Sequence, residues 1–98
     1  MDHKTSVQEL KDKVKKFCDD RNWDPYHNPK DLAICAITES AELLEHFRYK
    51  TEAESEKMMR DPKNRQEISE EMADVLYAIL RLAQKYDIDL ATEFDKKM

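Results

Sequence analysis

Ninety-eight residues suffice for one domain, and 22 acidic against 17 basic side chains leave a formal charge of -5, which argues against a general nucleic-acid binder with a basic face. The sequence has no glycine, so a Gly-rich phosphate loop and a dinucleotide fingerprint are both excluded, and few turns can need a positive φ. Two cysteines make no disulfide framework, no apolar run reaches the ~18 residues of a membrane span, and no signal-peptide pattern opens the chain, so the expected setting is cytoplasmic, reducing and away from membranes.

The pattern predicts helices joined by short loops, an all-α fold. Ser6 with Glu9 reads as a capping box, and Val7, Leu10, Val14 and Phe17 then recur at helical spacing to about Asp20-Arg21. A loop follows over 22–28, broken at Pro25 and rich in rings (Trp23, Tyr26, His27). Asn28 caps a second helix with Pro29 at its first position. Leu32, Ala36, Leu43 and Phe47 mark its apolar side, and it is expected to end near Tyr49-Lys50. Thr51 with Glu54 is a second capping box, opening a short charged helix to about Arg60. The stretch Asp61-Pro62-Lys63-Asn64 interrupts it. A long helix is expected from about Asn64 to Tyr86, with Ile68, Met72, Val75, Ile79 and Leu82 as its stripe. Asp89 caps a last segment, Leu90 to Met98, anchored by Phe94.

Two acidic pairs interrupt this apolar pattern. Glu39 and Glu42 are three residues apart, as are Glu71 and Asp74, so each pair shares a helix face. On a helical wheel Glu39 falls between Cys35 and Leu43, inside the apolar arc. Glu42 lies just outside that arc. Glu71 sits among Ala78 and Leu82, and Asp74 on the flank near Arg81 and Lys85. An acid within a buried arc is costly unless it is paired or metal-bound. The small Ser40 and Ala41 leave room beside it. Four carboxylates converging between two helices repel one another, and a hard divalent cation such as Mg²⁺ is the simplest neutraliser. Without it the acids raise one another's pKa, so metal is expected to stabilise the fold. Glu45, Glu52, Glu54, Glu56 and Glu70 read instead as an ordinary solvated face. His46 lies between Glu39 and Glu42 on the wheel and reads as a hydrogen-bond partner rather than a ligand. No ExxH accompanies the acids, so the di-iron bundle pattern fails, and no HExxH zinc motif occurs.

These residues resemble the MazG-like nucleoside triphosphate pyrophosphohydrolases, specifically the short, single-domain branch typified by dCTP pyrophosphatases. The family signature, ExxE then ExxD, is matched by Glu39-Ser-Ala-Glu42 and Glu71-Met-Ala-Asp74, with 28 residues between. Arg21-Asn22-Trp23 and His27-Asn28-Pro29 resemble the family's entry to its second helix. Phe47-Arg48-Tyr49-Lys50 resembles its F-Q-W-K, and Lys97-Met98 the start of its final K-M motif. The Asn that follows that motif is missing, which implies a single MazG-like domain over residues 1–98 that is either shortened at its C-terminus or manages without it.

The resemblance implies a four-helix-bundle-type fold that assembles as a homodimer or a homotetramer. It implies a Mg²⁺ enzyme, with Mn²⁺ as a substitute, that cleaves a nucleoside triphosphate to monophosphate and pyrophosphate in nucleotide-pool house-cleaning. Carried over, Glu39, Glu42, Glu71 and Asp74 are its catalytic metal ligands, one glutamate also being placed to orient the attacking water. Trp23 and Tyr49 are the candidates for holding the base, and Lys85 and Lys97 for meeting phosphates. Trp23 reads equally as a packing anchor, Tyr49 is a smaller ring than the family's Trp, and both lysines also read as surface residues. The apolar stripes exceed what so short a chain can bury alone, which independently predicts self-association. Two rival readings stand beside this one. A phosphoribosyl-ATP pyrophosphatase keeps the chemistry and changes the substrate. A non-catalytic helical dimerisation module keeps the fold alone.

Overall fold

The computed structural model describes all 98 residues and is all-helical. Helix α1 spans Val7–Asp20, α2 Pro29–Glu45, α3 Glu52–Arg60, α4 Pro62–Lys85 and α5 Leu90–Lys97, with one 3-10 turn at Asp24–Tyr26. Every α-helix starts on a side-chain cap. Ser6, Asn28, Thr51, Asp61 and Asp89 each accept a hydrogen bond from the amide three residues on. Thr51 and Glu54 complete a reciprocal box. At α1 the Ser6 hydroxyl instead donates to Glu9 Oε1 at 3.4 Å, and the return bond to the Ser6 amide is not made.

Two boundaries differ from the sequence expectation. Helix α4 begins at Pro62 rather than Asn64, because Asp61 caps it and proline is pre-set for a first helical position. Helix α2 ends at Glu45 rather than near Lys50. Residues 46–49 tighten into turns, and Tyr49 adopts φ 65°. Asn22 and Asp87 also have positive φ, so the glycine-free chain needs three left-handed residues after all. Asn and Asp tolerate that region, but a tyrosine there costs about 1–2 kcal/mol. The Tyr49 ring is 89% exposed and is held only by Arg48, whose Nη2 donates to its hydroxyl at 2.9 Å. Tyr49→Asn is therefore expected to stabilise the fold by about 1 kcal/mol, read as a higher urea midpoint.

Helix α4 is the spine, with α1, α2 and α3 all packed on it. Val14, Cys18 and Leu80 form the central cluster, with Leu10, Tyr77 and Leu90 against it. The stripe expected on α4 holds at Ile68 but not at Met72 and Ile79, which are exposed. Ala78, Leu80, Arg81 and Ala83 are buried instead. Helices press on α4 from more than one side, so its burial follows those contacts and not a single stripe. Ile34 (49% exposed), Ile37 (69%) and Leu44 (61%) are left uncovered on α2, as are Met72 (55%), Leu76 (46%) and Ile79 (39%) on α4. The radius of gyration is 15.4 Å, against about 13 Å for a self-contained domain of this length. No helix is long and apolar enough to cross a membrane.

Candidate metal centre

The pairing of α2 with α4 brings the sequence's acids together. One carboxylate oxygen from each of Glu39, Glu42 and Glu71 lies within 4.8 Å of the other two. Glu39 and Glu71 are half-buried, and Glu42 is at the open side. Glu39 Oε2 and Glu71 Oε2 are fully buried and meet no hydrogen-bond donor. Buried carboxylate oxygens without partners are rare because each forfeits its hydration. An all-oxygen set with orphaned lone pairs suits a hard cation.

Asp74 lies outside that tight trio but close enough for its charge to act on it. Burial, and then the charges of Glu42, Asp74 and Glu71, push the Glu39 carboxyl above its ordinary value. Burial, followed by Glu39 and Asp74, does the same to the Cys35 thiol, so Cys35 borders the acids on α2. His46 Nε2 stands 3.7 Å from Glu71 Oε1, too far for a direct hydrogen bond.

A raised acid has a definite consequence for metal-free stability. The folded state holds the Glu39 proton more tightly than the unfolded chain does. Glu39's contribution is therefore full below its ordinary 4.5 and is lost as pH rises through the folded value. Asp24 runs the other way. The Arg81 guanidinium beside it holds its carboxyl below 3.8, so its contribution is lost only as pH falls through that depressed value. In a chelator, the melting temperature is expected to decline from about pH 4.5 upward, and Mg²⁺ should flatten the decline. Melting curves across pH, with and without metal, check this.

The other expected site residues are spread more widely. Trp23 is 38% exposed and packs edge-on to Phe17, with ring centroids 5.5 Å apart, and to His27 at 6.0 Å. Phe17 in turn meets Tyr77 at 6.0 Å, and the Tyr77 hydroxyl lies 3.3 Å from Cys18 Sγ. Tyr77 lies one turn beyond Asp74 on α4, and the edge-on series Tyr77–Phe17–Trp23 ties that helix to the Trp23 loop. Lys85 donates from Nζ to the carbonyls of Asp24 (2.6 Å) and His27, which commits it to holding that loop. Lys97 is exposed, forms no ion pair and lines a groove with Val7, Leu76 and Phe94. Tyr49 stands in the turn after α2 and is exposed.

Sequence reasoning passed over Arg81. It is 1% exposed, and its guanidinium reaches His27 Nδ1 (2.8 Å), Asp24 Oδ1 (2.8 Å) and Gln84 Oε1 (2.5 Å). The one available signal was its place seven residues after Asp74, on the same face of α4.

The MazG-like family profile matches residues 34–98, about two thirds of the chain, and that stretch contains both acidic pairs. The sequence is 34% identical to dCTP pyrophosphatase 1 of Rattus norvegicus over 82 residues, 84% of this chain and 48% of that protein. Identity to the Homo sapiens enzyme of the same name is 33% over the same shares, and to the Bos taurus one 31% over 74 residues, 76% of this chain and 44% of that protein. The chain spans about half the length of the curated relatives it matches. With its acids on facing helices and this coverage, the chain belongs to the MazG-like family.

Proposed function

We propose that this chain is a single MazG-like domain that hydrolyses a nucleoside triphosphate to monophosphate and pyrophosphate with Mg²⁺, or Mn²⁺ in its place. The observation that carries the reading is the trio of converging carboxylates with two buried oxygens lacking donors. Glu39 and Glu71 would hold the cation from the buried side, Glu42 from the open side, and Asp74 from the next turn of α4. Bound there, Mg²⁺ supplies charge neutralisation for phosphate oxygens and lowers the pKa of a water. Glu42, the exposed member of the tight trio, would orient that water.

Recognition of the base falls to rings, because a flat aromatic accepts a base face at roughly 1–3 kcal/mol. Trp23 is the first candidate and Tyr49 the second. Of the two lysines, Lys97 is free of ion pairs and keeps the phosphate role, while Lys85 acts through the Trp23 loop. The names of the relatives make dCTP the first substrate to test. Small-molecule house-cleaning in the cytoplasm, with no nucleic-acid polymer or membrane as partner, completes the reading.

The uncovered apolar residues of α2 and α4 support self-association as a homodimer or homotetramer. A panel of nucleoside triphosphates with Mg²⁺ tests the activity. Equimolar monophosphate and pyrophosphate are expected, with dCTP among the substrates cleaved. Release of orthophosphate, or no turnover at all, overturns the proposal.

A further inference from the structure

The loop that carries Trp23 is gripped from one place. Arg81 and Lys85 sit four residues apart on α4 and both reach into it. The Arg81 guanidinium binds Asp24 and His27, the two residues that bracket the 3-10 turn just after Trp23. Lys85 binds the backbone carbonyls of the same two residues. Asn22, just before Trp23, takes a positive φ of 55°, so the ring is set between a left-handed corner and a clamped turn. The ring also lies against His27, one of Arg81's partners.

The same helix carries two of the four acids, Glu71 and Asp74. Asp74, Ala78, Arg81 and Lys85 follow one another at helical spacing along α4, so Glu71, Asp74 and the clamp share one rod, against which α2 with Glu39 and Glu42 packs. A buried guanidinium that loses a partner pays a desolvation cost, and a planar fork fixes direction as a lone ammonium does not. His27 accepts at Nδ1, which places its own proton on Nε2 and requires the neutral ring. Burial, Arg81 and Lys85 all favour that neutral form, against the opposing charge of Asp24.

Building on the functional reading above, we propose that Arg81 is a positioning residue for nucleotide recognition: it sets the Trp23 ring at a fixed distance from the acids by clamping Asp24 and His27. Its effect passes through Trp23. Arg81 therefore governs the apparent affinity for the nucleotide and not the rate of the bond-breaking step.

A double-mutant cycle tests this, with steady-state hydrolysis of dCTP in saturating Mg²⁺ as the readout. Arg81→Lys keeps the charge and removes the fork. It is expected to raise KM by about tenfold while kcat changes by less than about twofold. Trp23→Ala should raise KM on the order of tenfold by itself. In the Trp23→Ala background, Arg81→Lys should add almost nothing to KM, since its route is already removed. Trp23 is the only tryptophan, so its emission reports the loop directly and should shift to the red in Arg81→Lys.

If Arg81→Lys folds poorly, Asp24→Asn removes only the exposed end of the ion pair and should give the same pattern at about threefold in KM. Additive KM effects in the cycle, or a lower melting temperature with unchanged KM and emission, would overturn the inference and leave the functional reading intact. No turnover of any triphosphate by the parent chain removes that reading and this inference with it.

Discussion

Glu39→Gln is expected to suppress pyrophosphate release strongly and, in a chelator, to raise the melting temperature. Those two effects rarely go together. A structural acid held by a cation or by amides stabilises the fold, and its loss lowers stability. Glu39 has no such partner: its buried Oε2 meets no donor, and its neighbours are Glu42, Glu71 and Asp74. Removing the charge relieves repulsion, and the new amide can donate to an adjacent carboxylate. One gained hydrogen bond is worth about 1 kcal/mol, or about 4–8 °C in a domain this size. Activity should fall by about 10²–10³ or more, as when one preorganised electrostatic partner is removed from a reacting site. The stabilising effect of Mg²⁺ should shrink in step, because one ligand is gone. Scanning calorimetry of parent and variant, each with chelator and with Mg²⁺, reads all of this. A variant that is less stable without metal, or as active as the parent, would mean that Glu39 is an ordinary structural acid.

What could be read in advance follows the range of the interactions. Helix starts were legible because a cap acts over three residues: Ser6, Asn28, Thr51 and Asp89 each do what their position implies. The convergence of Glu39 with Glu42 was legible for the same reason, since i and i+3 fix a shared face. The meeting of that pair with Glu71 could be inferred only from the cost of isolating acids among apolar residues. The end of α2 was missed because nothing local stops it at Glu45. The turn there depends on Tyr49 accepting a left-handed conformation that its side chain disfavours. Arg81 was the largest omission. On a wheel it is a charged flank residue, and only the loop residues Asp24 and His27, more than fifty positions earlier, make it a buried hub. The exposure of Met72 and Ile79 has a related cause. Their periodicity identifies an apolar face, but periodicity does not say whether the covering surface comes from the same copy.

A second copy is expected to supply that cover, and Ile37→Asp should then leave a monomer. Ile34, Ile37 and Leu44 are spaced by three and seven residues, the repeat of a helix–helix seam, and all three face away from the chain's own core. Met72, Leu76 and Ile79 make a second seam on α4, the helix against which α2 packs. Two adjacent helices with open seams resemble half a bundle, and a second copy related by a two-fold axis would close it. Burying one isoleucine contributes about 1.5–3 kcal/mol, and symmetry presents each substitution twice. A carboxylate at that place would also have to be desolvated on association. The parent is expected to sediment at two or four times its 11.7 kDa, with a melting temperature that rises with protein concentration. Ile37→Asp should sediment as the single chain, melt on the order of 10 °C lower and lose the concentration dependence. Glu56→Lys, on the solvated face of α3, changes charge without touching either seam and should leave the mass unaltered. Ile37→Asp with the parent's mass and melting temperature would show that these seams face water, and the extended shape of the chain would then need another cause.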